Sequence, residues 1–137
     1  FNGNVVFEGI IACAKAALAN DIPVVLGNDV GCPWITQYDF WRELCYFRKY
    51  VGVSNAFALH TATGRAAEVM GLGSVTGTIE VGKCADLIVT REDPLADLRA
   101  LRSIDLVVAR GRRYDAPRVK HNALVTAELD RFLPGND

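Results

Sequence analysis

Pro23-Val24-Val25-Leu26-Gly27-Asn28-Asp29-Val30-Gly31 is the stretch on which the reading of the fold turns. A proline opens it, three apolar residues without polar alternation form its body, and Gly27 closes it. That is the pattern of a short parallel strand covered on both faces. Asp29 stands just past its carboxyl end, where parallel α/β folds project their reacting groups. A cap on the following turn is the alternative use of the same aspartate.

Working outward, residues 8–19 (EGIIACAKAALA) place Ile10, Ile11, Ala14, Ala17 and Leu18 on one stripe of helical period, which predicts an amphipathic helix ending near Asn20. Downstream, Thr36-Gln37-Tyr38-Asp39 has the form of a capping box. Phe40, Leu44, Phe47 and Val51 then repeat at helical spacing up to Gly52. Ser54 and Thr63 are placed to cap two further helices, the second closed by Gly71. From Gly73 the grammar changes. Runs at 74–79, 86–90, 104–109 and 112–114, separated by Gly82-Lys83, Asp93-Pro94 and Arg110-Gly111, predict a small sheet ending in a hairpin. Residues 118–133 return to helical period, with Pro134-Gly135 as the stop.

Composition narrows the function. A chain of 137 residues is too short for a complete barrel enzyme of about 250 residues. For this length, scaling gives about 7,000 Å² of surface when folded against about 21,600 Å² unfolded, enough burial for a real core. The net charge of −1 creates no field that would gather polyanions, so nucleic acid and membrane surfaces are not expected partners. The cysteines, Cys13, Cys32, Cys45 and Cys84, form no C-x-x-C pair and read as reduced thiols of a cytoplasmic protein. No apolar run approaches the 18 or so residues of a membrane span, and no signal-peptide pattern opens the chain.

Several motifs compete for a chemical role. Gly77-Thr-Ile-Glu-Val-Gly82-Lys83-Cys84 nearly spells a phosphate loop. Cys84 stands where a magnesium-binding hydroxyl belongs, and a strand-like run follows where a helix should meet the phosphate. A glycine-bounded turn between strands is the better reading. His60 and His121 are 61 positions apart and belong to no zinc-binding spacing, and Ser54, Ser74 and Ser103 lack a nucleophile elbow. Trp34, Tyr38, Trp41, Tyr46, Phe47 and Tyr50, with Arg42, Arg48 and Lys49 interleaved, read as core plus a solvated face rather than a base-stacking platform.

Four of these blocks, in order, resemble the carboxyl-terminal third of the metal-dependent amidohydrolase superfamily, in the group of imidazolonepropionase-like enzymes, dipeptidases and deaminases. Val24 to Gly31 is similar to the eighth barrel strand with its G-T/S-D ending, although Asn28 stands in the Thr/Ser place. Ala58-Leu59 with Thr63, Ala67, Met70, Gly71 and Leu72 resembles the helix pattern A-L-x-x-x-T-x-N-x-A-x-x-L-G-L, with Arg65 in place of Asn. Gly77 to Val89 is similar to G-S-I-E-x-G-K-x-A-D-L-V-V, and Asp93-Pro94-Leu95 with the hairpin from Val107 to Arg113 completes the match.

The resemblance implies a carboxyl-terminal fragment of a TIM-type (β/α)8 barrel of α/β class, plus part of a small β-sandwich and a closing helix. Its expected units are 1–72, the last βα units of the barrel; 73–116, part of the sandwich; and 117–137, the helix. It implies hydrolysis of an amide, cyclic amide or small dipeptide C–N bond in a longer parent. There Asp29 would ligate a divalent metal, zinc by expectation, and pass a proton from the bound water to the leaving nitrogen. Asn28, Gly31, Cys32 and Trp34 would line the substrate-adjacent loop. The histidine and Lys or acid ligands of such a site are not in this sequence, so the isolated chain is expected to hold no metal tightly and to be inactive. The competing expectation is a noncatalytic module whose open edges associate with a missing amino-terminal half or with a second copy as a homo-oligomer.

Overall fold

A computed structural model describes residues 2–133. The first helix, α1 (Gly3–Ala19), starts five residues before the apolar stripe predicts, because the Asn2 side chain accepts from the Asn4 amide and caps it there. Ile11, Ala14, Ala17 and Leu18 are half-buried on its inner side, while Val5, Val6, Phe7 and Ile10 remain exposed. Among its 17 residues only Glu8 and Lys15 are charged. A helix apolar around most of its circumference is built to be covered on more than one side.

The Pro23–Asp29 segment takes no regular secondary structure, and no neighbouring strand pairs with it among the described residues. Its side chains still alternate as a strand requires: Val24 and Leu26 pack against the core and Val25 is exposed. The expected burial on both faces is therefore corrected to burial on one. A ladder needs a partner, and the described chain offers none.

The core is built on α2 (Trp41–Tyr46), continued by a π-helical turn over Phe47–Val51. Trp41, Leu44, Cys45 and Phe47 cluster with Ala58, Leu98 and Leu133. Here the predicted capping box is corrected. The Thr36 hydroxyl donates to the Asp39 carboxylate at 2.6 Å instead of accepting a backbone amide, and α2 begins only at Trp41. Asp39 has a stronger partner than an orphan N–H, the guanidinium of Arg42.

Ser54 caps α3 (Asn55–Ala62) as expected, accepting from the Phe57 amide at 3.1 Å. Thr63 precedes α4 (Gly64–Val69) but does not cap it, since its hydroxyl donates back to the Leu59 carbonyl at 2.7 Å. The run 74–79, expected as a strand, is a series of turns. Its glycine explains why: an added Cβ on Gly77 would lie 2.5 Å from the Ala67 Cβ, so the segment docks backbone-first on α4 rather than pairing with a sheet.

Antiparallel strands β1 (Leu87–Thr90), β2 (Ile104–Ala109) and β3 (Arg112–Asp115) form the sheet in the order β1-β2-β3. Leu87 faces Val108, Val89 faces Leu106, and Ala109 faces Arg112 across a two-residue turn. Arg110 and Gly111 are both left-handed there, at φ 50 and 76, the conformation a tight hairpin demands. A 3-10 turn over Leu98–Arg102 returns the chain to α2. Last comes α5 (Ala123–Asp130), shorter than the 118–133 expected because Asn122 caps it; the proposed Pro134-Gly135 stop lies outside the described residues.

The architecture is thus mixed α/β, five helices beside a small antiparallel sheet among the described residues. Its accessible surface is 9,426 Å², well above the roughly 7,000 Å² expected for a chain of this size.

Candidate functional site

Asp29 is exposed just past the Pro23–Asn28 segment. Beyond it the chain descends through a run of tight turns. The Cys32 amide donates to the Asp29 carbonyl at 3.1 Å and the Ile35 amide to the Cys32 carbonyl at 3.1 Å. The Asp39 amide then donates to the Thr36 carbonyl at 3.2 Å and the Arg42 amide to the Asp39 carbonyl at 2.9 Å. This succession leaves little slack between the Asp29 carboxylate and the first turn of α2.

The loop displays the residues expected beside a substrate. Asn28 is half-buried, while Gly31, Cys32 and Trp34 are exposed. Trp34 holds a left-handed backbone at φ 69 with its side chain 56% exposed. A bulky residue in that region costs on the order of 1–3 kcal/mol and is kept only where its surroundings impose it. Glu43, on the first turn of α2, has its carboxyl pushed above the usual range by burial and then by the negative charge of Asp29. The two carboxylates therefore share one electrostatic neighbourhood.

Two residues the sequence reading did not assign to the site, Arg42 and Tyr38, tie this loop to α5. Arg42, only 2% exposed, reaches Asp39 at 3.1 Å and Asp130 of α5 at 2.8 Å, with its guanidinium 4.6 Å from the Trp41 ring centre. Arg102 meets the other Asp130 oxygen at 3.3 Å. Tyr38 adds a second tie, its hydroxyl accepting from the Asn122 amide at 2.9 Å and its ring lying 4.2 Å from that of His121. The Asp39–Arg42 spacing of three was visible in the sequence. Asp130 was not, because nothing local links positions so far apart.

The remaining candidates make local contacts. His60 is exposed on α3, against the Gly64 turn. In the near-phosphate loop Lys83 pairs with Glu80 at 3.1 Å, and a strand follows rather than a helix. Asp86 of the same block accepts from the Arg110 amide at 2.7 Å and the Thr76 hydroxyl at 2.9 Å, stapling the hairpin to the turn that precedes the sheet. Those bonds hold its carboxyl below the usual range, the Arg110 amide contributing most.

For a divalent metal the fit is incomplete. No group of three or more His, Cys, Asp or Glu side chains converges among the described residues, and Asp29 is one carboxylate where a protein site needs three or four ligands.

Comparison with known proteins bears on the same residues. The model of the amidohydrolase family matches residues 4–114, from α1 through the hairpin. A candidate prolidase from Bifidobacterium longum is 40% identical with a TM-score of 0.85, over 88% of this chain and 30% of that one. A Xaa-Pro dipeptidase crystallised with methionine in its active site is 27% identical, TM-score 0.68, over 77% of this chain and 25% of that one. Molinate hydrolase is 27% identical, TM-score 0.67, over 82% and 27% respectively. The chain thus spans about a third or less of these proteins' length. A search of curated protein sequences finds no significant match. With most of its length matched by the family model, in the order its motifs predict, the chain belongs to the amidohydrolase family.

Proposed function

We propose that this chain is the carboxyl-terminal part of a metal-dependent hydrolase that cleaves the C–N bond of a small dipeptide, amide or cyclic amide. In this reading Pro23–Asp29 is the last strand of a (β/α)8 barrel and β1 to β3 are part of a β-sandwich beside it. The observation that carries it is Asp29, exposed just past the apolar Val24–Leu26 run and inside the family match. Two of the relatives above are described as a candidate prolidase and a Xaa-Pro dipeptidase, which favours dipeptides among the substrates.

What this chain contributes is a proton carrier and a loop. A carboxylate at the rim accepts a proton from the attacking water and returns it to the leaving nitrogen, exchange that positioned acid–base groups accelerate by about 10²–10⁴. Trp34 and the Asn28–Cys32 turn form one wall beside it. The parent's divalent metal, zinc by expectation, draws its other ligands from elsewhere in the parent, so the chain alone is inactive. The test has two arms. The purified chain, supplied with zinc or manganese, leaves Xaa-Pro and acyl-amino-acid substrates intact, whereas in the longer parent Asp29→Asn lowers kcat by about 10² or more. Turnover by the chain alone, or an Asp29→Asn parent of unchanged kcat, overturns the reading.

A second reading rests on the surface of α1, where Val5 and Ile10 are each about 60% exposed beside a groove lined by Phe7, Leu26, Tyr46 and Tyr50. As an interaction module the chain would bury this face against an amino-terminal half or a second copy. Sedimentation that finds a monomer at every concentration, with no binding to that half, rejects it.

A further inference from the structure

We propose that Arg42 is a positioning residue through which the carboxyl-terminal helix α5 sets the conformation of the loop between Asp29 and Tyr38. The inference rests on the reading of Asp29 as the reacting carboxylate and goes beyond it by saying what holds that carboxylate's loop.

The geometry is a relay of fixed pieces. From Asp29 the turns through Cys32, Ile35 and Thr36 end on Asp39, and both oxygens of that carboxylate are engaged, one by the Thr36 hydroxyl at 2.6 Å and the other by Arg42 at 3.1 Å. Arg42 then reaches Asp130 at 2.8 Å. Asp39 and Arg42 are buried, 7% and 2% exposed, so this is no solvent-screened surface pair. The contacts are ion pairs rather than aligned hydrogen bonds, with the guanidinium nitrogens buried between carboxylates from two different segments. The Trp41 ring lies 4.6 Å from the same guanidinium. The Tyr38–Asn122 bond joins the loop to the cap of α5 at a second point, so α5 grips the loop at both Tyr38 and Asp39.

A residue that merely stabilised the fold would act on all of it; a clamp acts on the loop. The amides of Cys32, Ile35 and Asp39 report the loop, and those of Ala58 and Ala67, bonded within the helical region, serve as reference. Removing a partner from a buried pair is costly, and Asp130 is the more exposed member. Asp130→Asn therefore speeds exchange at the loop amides by about tenfold and leaves the reference amides unchanged. With 5-fluorotryptophan at the two tryptophans, the Trp34 signal shifts or broadens in the same variant. Tyr38→Phe removes the second tie without touching a charge and produces the same pattern more weakly, so the test survives if Asp130→Asn folds poorly. Unchanged loop exchange in Tyr38→Phe and Asp130→Asn, or a uniform rise across the fold, overturns the proposal. Neither readout needs metal or turnover, so failure here sinks the clamp, whereas an active Asp29→Asn parent sinks the assignment of Asp29.

Discussion

Replacing Gly77 by alanine tests how the turn region is fastened to the helices. The new Cβ would sit 2.5 Å from the Ala67 Cβ and 3.1 Å from the Thr63 carbonyl oxygen, against a comfortable carbon–carbon separation of about 3.5–4.0 Å. Neither neighbour is the free end of a flexible side chain, so backbone must move, an overpacking cost of about 1–3 kcal/mol. The φ of 94 adds about 1–2 kcal/mol of left-handed strain, for a total near 2–5 kcal/mol. Gly82 supplies the control: its φ is 93, yet nothing lies within 4 Å of its added Cβ, so Gly82→Ala carries the strain alone, about 1–2 kcal/mol. Urea titrations followed by circular dichroism measure both. Against a total stability of about 5–15 kcal/mol the Gly77 variant loses a large share. Destabilisations of the two variants within about 0.5 kcal/mol of each other would refute the close docking.

Three other outcomes follow from the same structure. Cys45 is buried with its thiol pushed up to about 11, chiefly by burial, so iodoacetamide at neutral pH labels Cys13, Cys32 and Cys84 in the native chain and reaches Cys45 only in urea; native labelling of Cys45 contradicts this. Ser54→Ala leaves the Phe57 amide uncapped and costs about 1 kcal/mol in the urea titration, a loss that Ser54→Thr mostly avoids; an unchanged midpoint in Ser54→Ala counts against the cap. Because the folded value of Asp86 is depressed, its contribution is whole above the ordinary carboxylate value near 4 and disappears as pH falls through the lower folded value. The stability gap between the native chain and Asp86→Asn therefore narrows below pH 4 or so, and a gap constant from pH 7 to strong acid rejects the role given to that carboxylate.

What the sequence revealed was mostly local. The strand over 104–109, the Arg110-Gly111 hairpin and the Ser54 cap depend on neighbours a few positions away, and all three stand where expected. Three expectations failed on packing that local spacing does not reveal. Thr36 and Asp39 had the spacing of a capping box, but a buried arginine outcompeted the orphan amide. The 24–26 run had the composition of a covered strand and no neighbour to pair with among the described residues. Residues 74–79 had β-branched content, yet Gly77 let the backbone approach Ala67 instead. For the site, the sequence offered Asp29 after an apolar run, and the structure leaves it exposed. The anchoring of its loop by α5 was not legible, since no periodicity connects Asp39 with Asp130.

The bond between Tyr38 and the Asn122 amide spans 84 positions, and it has a consequence for the order in which the chain assembles. Helices and the hairpin close over a few residues and form early, whereas contacts of such separation are slow to find. At about 5–20 residues per second, synthesis delivers Asn122 roughly 4–17 s after Tyr38. Throughout that interval the loop after Asp29 has neither of its ties to α5, and Arg42 has only Asp39 of its two carboxylate partners. The loop after Asp29 therefore gains its anchors on α5 only once Asn122 and Asp130 have been made.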